Sequence, residues 1–185
     1  MKLVLLNGPP GSGKSTLARR YADDHPPALA LDVDHVRSFI GGWRATPGPA
    51  GLLARDIAVA AARTHLTAGY DVVVPQLLAR PEFPERLEAL ARETGASFHE
   101  ILLLPGREEA RRRCVARGVS EIETAEPLTD DQFTAMYDRV AAFAEDRPRV
   151  RVLRAGKIDH TYQDLLDALG HPGATGNHRR PGARQ

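Results

Sequence analysis

The sequence predicts one three-layer α/β domain: a parallel five-stranded sheet with helices on both faces and a helical excursion over about 107–145. Three observations carry this reading. Short apolar runs alternate with helical stretches along the chain. The runs are apolar at consecutive positions, as strands covered on both faces are, and do not alternate in the manner of a half-exposed sheet. The length, 185 residues with 42% hydrophobic and 26% charged, suits about one domain with a complete core.

Each element follows from local pattern. Residues 2–7 are a continuous apolar strand, closed by Gly8-Pro9-Pro10-Gly11, and residues 14–22 read as a helix. Residues 28–33 form a second strand and 34–40 a short helix; 41–49, crowded with Gly and Pro, is loop by composition. Residues 52–68 suit a long helix, with Leu53, Ile57, Ala60 and Ala61 at helical spacing and Gly69 placed to end it. A third strand spans 71–75, a helix stopped by Gly95 spans 84–94, and a fourth strand spans 97–104. Helices over 107–117 and 129–144, a fifth strand over 149–154 and a helix over 160–169 complete the domain, expected at 1–170. Residues 171–185, rich in Gly, Pro, His and Arg without apolar periodicity, are expected to be a flexible basic tail.

Charge and composition exclude several classes. The formal net charge is +1, but Arg179, Arg180 and Arg184 lie in the tail without an acid, so the body is −2. A protein that tracks a long phosphate backbone usually carries a basic stripe, which those totals do not provide. A single cysteine, Cys114, excludes an internal disulfide and a Cys-rich zinc site. No apolar run approaches the ~20 residues of a membrane span, and residues 3–6 are too short for a secretory core. The expected address is the cytoplasm, with no membrane partner. Arginine outnumbers lysine 22 to 3, so an arginine counts only where its position gives it a task.

The strongest signal is Gly8-Pro9-Pro10-Gly11-Ser12-Gly13-Lys14-Ser15-Thr16. It matches G-x-x-x-x-G-K-[ST] between a buried strand and a helix start. Glycines at 8, 11 and 13 let successive N–H groups, including that of Ser12, turn inward as a nest for anionic oxygens. The helix amino terminus adds partial positive charge behind them. Lys14 can reach the β- and γ-phosphates, and the Ser15 hydroxyl is placed to ligate Mg²⁺, with Thr16 beside it. The ligand is a nucleoside triphosphate.

Three features bear on what happens to the γ-phosphate. In open parallel sheets, ligands sit beyond the carboxyl ends of strands, where Asp34 opens the next helix. Asp34 is either a general base for a substrate hydroxyl, with Arg37 one turn on as substrate anchor, or a helix cap. Asp32 either points the other way or serves Mg²⁺ through water. On the helix over 107–117, Ala110, Cys114 and Val115 form a narrow apolar face, flanked by Arg113 and Arg117, with Arg112 pointing away. The two aligned guanidiniums either close over the transferring phosphoryl or belong to a solvated Arg-rich helix paired with Glu108 and Glu109. The chain's size favours a small phosphotransferase, with no added motor or regulatory domain expected after the fifth strand.

These residues resemble the small P-loop kinases that include polynucleotide 5′-hydroxyl kinase domains, chloramphenicol phosphotransferase and zeta-toxin-like kinases. The resemblance covers about residues 2–169. In the phage-type polynucleotide kinase domain the catalytic Asp and a substrate Arg lie in D-x-x-R, matching Asp34 and Arg37. The lid there carries R-x-x-x-R-G, matching Arg113, Arg117 and Gly118, with the second Arg acting on the transition state. Chloramphenicol phosphotransferase has its base in a V-D that fits Val33-Asp34. The resemblance implies strand order 2-3-1-4-5 and Mg-ATP as donor. One departure stands out: where the group often has an Asp at the end of strand three, this chain reads Val74-Pro75-Gln76. Gln76 cannot be an anionic outer-shell partner of magnesium, so either Asp32 does that work or Gln76 binds substrate. Arg80 and Trp43 are candidate pocket walls, the Trp equally a packing plug, and Lys157 is a candidate contact to adenine.

The resulting expectation is an ATP- and Mg²⁺-dependent phosphotransferase with an alcohol group as acceptor. The acceptor is expected to be a small-molecule hydroxyl substrate. A polynucleotide 5′ end is the alternative acceptor, and a nucleotide-binding regulatory module is the rival of another class.

Overall fold

Five parallel strands form one sheet in the order β2-β3-β1-β4-β5. They are β1 (Lys2–Asn7), β2 (Leu29–Ala30), β3 (Val72–Pro75), β4 (Ser97–Leu103) and β5 (Arg151–Leu153). Seven helices are present among the described residues: α1 (Lys14–Asp24), α2 (Val33–Ser38), α3 (Pro47–Thr67), α4 (Glu82–Thr94), α5 (Arg107–Arg117), α6 (Asp130–Glu145) and α7 (Ile158–Ala168). The computed structural model describes residues 1–118 and 127–170. The expectation of a flexible tail therefore lies outside the described residues, as does part of the excursion over 107–145.

The consecutive apolar positions are explained by two cores. Leu3 and Leu5 of β1, with Val72 and Val74 of β3, pack against α3 and α4 on one face. Val4, Leu6 and Val73 point to the other face and meet Leu17, Ala18 and Tyr21 of α1 and Tyr162, Leu165 and Leu166 of α7. Side chains alternate across a strand, so a sheet covered on both sides needs apolar residues at every position. Leu3 pairs with Val72 and Phe98, which puts β1 at the centre. No described helix is long and apolar enough to cross a membrane.

Four local expectations are corrected. The second strand shrinks to two residues because Asp32 leaves the sheet to cap α2, its Oδ1 accepting from the Asp34 N–H at 3.0 Å. Helix α3 begins at Pro47, inside the segment read as loop; proline in the first turn gives up an N–H that has no helical partner there. Its buried stripe is Ala50, Ala54, Ala58, Ala62 and Leu66, whereas Leu53 and Ile57 face outward. Four alanines at i, i+4 spacing leave room for the helix to lie close to its neighbours. On α5, Ala110 is buried with Phe133 and Tyr137 of α6, and Cys114 packs against them. Val115, expected on the same face, is 70% exposed.

The α5–α6 excursion is fastened at both ends. The Tyr137 hydroxyl donates to the Pro105 carbonyl at 2.7 Å. After α6, Arg147 grips Glu100 of β4 through Nε and Nη2, each 2.8–3.1 Å from the carboxylate oxygens. The Glu100 side chain is only 3% exposed, so this ion pair secures the far end of the excursion to the sheet.

Candidate active site

The loop joining β1 to α1 is held from below. Asn7, buried at the end of β1, accepts from the Gly8 N–H at 2.8 Å and the Leu78 N–H at 2.9 Å. Its amide donates to the Leu78 carbonyl at 2.9 Å. One side chain thus ties the start of the loop to the segment after β3. Gly11, at φ 77, presses against α5: a Cβ there would stand 2.2 Å from the Ala110 carbonyl oxygen. Gly13 is the residue before α1, at φ 91 and without a side-chain cap. The N–H groups of the first helical turn are therefore left to a ligand. The Lys14 ammonium donates to the Gly8 carbonyl at 2.8 Å, the Pro9 carbonyl at 2.9 Å and Ser12 Oγ at 3.4 Å.

Above this loop lies a cavity of about 1530 Å³, lined by Gly11 to Thr16 and by groups from every neighbouring element. Gly8 lies beneath the loop and outside the lining. Asp32, Asp34 and Arg37 reach the cavity from α2 and Gln76 from beyond β3. Arg113 and Arg117 reach it from α5, and Lys157 from the loop before α7. The Asp32 side chain faces the loop: Ser15 Oγ donates to its Oδ2 at 3.1 Å. Among the described residues no cluster of three or more His, Cys, Asp or Glu side chains could hold a metal ion. A hydroxyl next to one carboxylate nevertheless fits Mg²⁺, which takes few protein ligands and keeps waters and phosphates.

Asp34 and Arg37 form an ion pair, Oδ1 to Nη2, at 3.2 Å. Arg37 also lies against the Trp43 ring, 4.8 Å from its centroid, as does Arg44 at 4.5 Å. Trp43 is buried but absent from the cavity lining, so the pocket-wall expectation is replaced by that of a plug supporting Arg37. Arg80 is also corrected: it is exposed and outside the lining, because the chain after Leu78 turns away toward α4. Gln76 does line the cavity, and its Oε1 is buried without a hydrogen-bond partner among the described residues. Such an acceptor costs about 1–3 kcal/mol when left unmet.

Arg113 fits both accounts drawn from the sequence. Its Nε donates to Glu109 Oε1 at 2.7 Å, and its Nη2 donates to the Gly156 carbonyl at 2.9 Å while the side chain borders the cavity. The Arg113 hydrogen bond, with Arg112 adding to it, holds the Glu109 carboxyl below the usual range. Arg112 is outside the lining; Arg117 is exposed and inside it. At this end of the cavity Arg20 donates to Asp159 at 2.7 Å and covers the Tyr162 ring at 4.2 Å. Burial, with help from Asp24, pushes the Tyr162 hydroxyl well above its ordinary value.

Sequence reasoning missed two supporting residues. Asn7 was read only as the end of an apolar strand, although a polar residue closing such a strand is itself a signal. Thr161, buried in α7, accepts from the Gly156 N–H at 3.0 Å and donates to the Lys157 carbonyl at 3.1 Å, which sets the loop bordering Arg113. No sequence pattern pointed to it.

A family model described as an AAA domain matches residues 3–143. A sugar kinase from a Janibacter species superposes with a TM-score of 0.67 at 15% identity, covering 96% of this chain and 99% of that one. Kti12 of Chaetomium thermophilum, solved with ADP-AlF3, gives 0.60 at 20% identity over 94% and 100%. The APS kinase CysC of Mycobacterium tuberculosis, solved with AMPPNP and APS, gives 0.59 at 20% identity over 91% and 97%. No curated protein matches the chain.

Proposed function

The chain belongs to the AAA-domain family and has the fold of the P-loop kinases, and from that premise we propose an ATP-dependent kinase that phosphorylates a hydroxyl group of a small molecule. The observation that carries the reading is that the Asp34 carboxylate and the anion nest of residues 11–16 line one cavity. The nest and Lys14 bind the triphosphate. Ser15 and Asp32 would hold Mg²⁺, which when bound neutralises phosphate charge. Asp34 exchanges its bond with Arg37 for the acceptor hydroxyl, orients it and takes its proton as the oxygen attacks the γ-phosphorus. The bond from that phosphorus to the bridging oxygen breaks, its electrons staying with ADP. Arg37 anchors the acceptor. Arg117 faces the phosphoryl group and neutralises the charge that grows on its oxygens. A cytoplasmic setting, where a lone thiol stays reduced, belongs to this reading.

The test is a screen of hydroxyl compounds with γ-labelled ATP, run on the wild type and on Asp34→Asn. Transfer by the variant is expected to fall at least ~10²-fold while ATP binding is retained. A nucleotide-binding regulator without an acceptor would show only slow hydrolysis to water, unchanged in the variant, and a variant that transfers at the full rate removes Asp34 from the mechanism.

A further inference from the structure

We infer that the hydroxyl acceptor is an uncharged compound with an apolar face, an inference that rests on the kinase reading above. The two ends of the cavity differ in kind. Arg113 is bound to the Gly156 carbonyl beside β5, so that flank of α5 faces the α7 end. Val115 lies two residues on, about 200° around the helix, and therefore looks toward the α2–β3 end, where Asp34 and Gln76 stand. A 70% exposed valine that lines a cavity is an apolar contact offered to a ligand. Leu77 and Pro75 from the end of β3 also line the cavity, as do Met136 and Leu128 from the start of α6 and the segment before it.

The charges at this end point the same way. Among the described residues Arg37 is the one guanidinium reaching the cavity from the α2–β3 end, where the carboxylates of Asp34, 3.2 Å away, and Asp32 offset its charge even after Asp34 turns to the acceptor. The other lining cations lie elsewhere. Lys14 sits in the loop, Arg20 is held by Asp159, and Arg113, Arg117 and Lys157 belong to the opposite flank. Arg19 meets His35 at 3.5 Å across the groove between α1 and α2. A phosphate on the acceptor would thus face Asp34 and the γ-phosphate with no cation beyond Arg37 at this end among the described residues to offset it. What the site does offer is the Gln76 side chain, which lines the cavity and whose Oε1 has no partner among the described residues; turned toward the acceptor, that oxygen calls for an O–H or N–H donor. Gln76 and Val115 together select a neutral hydrogen-bond donor carrying an alkyl or similar face.

The test compares n-hexyl β-D-glucopyranoside, glucose, glucose 6-phosphate and a 5′-hydroxyl oligodeoxynucleotide. Each is measured for transfer from labelled ATP and, with a non-hydrolysable ATP analogue present, for binding by calorimetry. The hexyl glucoside is expected to bind at least about 10-fold more tightly than glucose, and glucose 6-phosphate and the oligonucleotide at least about 10-fold more weakly than glucose. Val115→Ser, at an exposed position that leaves folding intact, is expected to bring the hexyl glucoside close to glucose. Equal or better binding of either phosphate-bearing probe, no binding of a neutral probe, or an unchanged alkyl preference in Val115→Ser overturns the inference. Neutral probes that bind without being phosphorylated support the ligand class and count against the kinase reading. Transfer to glucose 6-phosphate in preference to glucose does the reverse.

Discussion

Asn7 shows how much one side chain can hold. It is buried and makes three hydrogen bonds that join the phosphate loop to residue 78. Asn7→Leu keeps the volume but leaves the Gly8 and Leu78 N–H groups unmet; urea unfolding is expected to show a loss of about 1–3 kcal/mol. Arg117, exposed in the cavity lining, is expected to act on the transition state. Arg117→Ala should then lower kcat on the order of 10²-fold with little change in KM for ATP, read from steady-state kinetics. Equal loss in both would make it a ground-state contact. At this scale the nest was legible because its spacing is a mechanism written in order along the chain. The supporting role of Thr161 was not, and the partners of Asn7 and of Trp43, the latter already open as a packing plug, were not either, because each is brought close only by the fold.

Among the elements, type and order were the readable part, whereas the lengths of β2 and β5 and the start of α3 were not. Gly69 follows the C-cap of α3 with φ 93, as the C′ reading required, and Gly95 ends α4 with φ 71, whereas the capping box of Thr129 with Gln132 at the start of α6 was not read from the sequence. The face of α3 was misread because periodicity favours large side chains, whereas the neighbouring helices select alanine by distance. Helix α5 contains the sharpest test. With Gly11 at φ 77 and the Ala110 oxygen where its Cβ would go, Gly11→Ala must move either the loop or the helix. ATP binding, measured by calorimetry, is expected to weaken at least ~10-fold, whereas Gly41→Ala, with nothing within 4 Å of its Cβ, leaves it unchanged.

For the whole molecule, the two-sided core followed from the apolar runs, and the order 2-3-1-4-5 from the resemblance alone, since no strand's composition states its neighbours. Long-range polar ties were invisible for the same reason. Asp71, just before β3, accepts from the Lys2 N–H and the Tyr21 hydroxyl, both at 2.7 Å, and so pins β1 and α1 to β3. Burial alone would raise the Asp71 carboxyl, but these bonds outweigh it and hold it below the ordinary value of 3.8. A lowered carboxylate adds stability above its unfolded pKa and loses it as pH falls through the folded one. Asp71→Asn is therefore expected to be less stable at pH 7 and to show a shallower decline between about pH 5 and 2 than the wild type, followed by thermal unfolding across that range. The close meeting of Gly11 with Ala110 has a consequence for engineering. The loop has its shape partly from a helix nearly a hundred residues later in the chain, so a graft of residues 8–16 into another scaffold carries only half of the mould. The first turns of α5 have to travel with it.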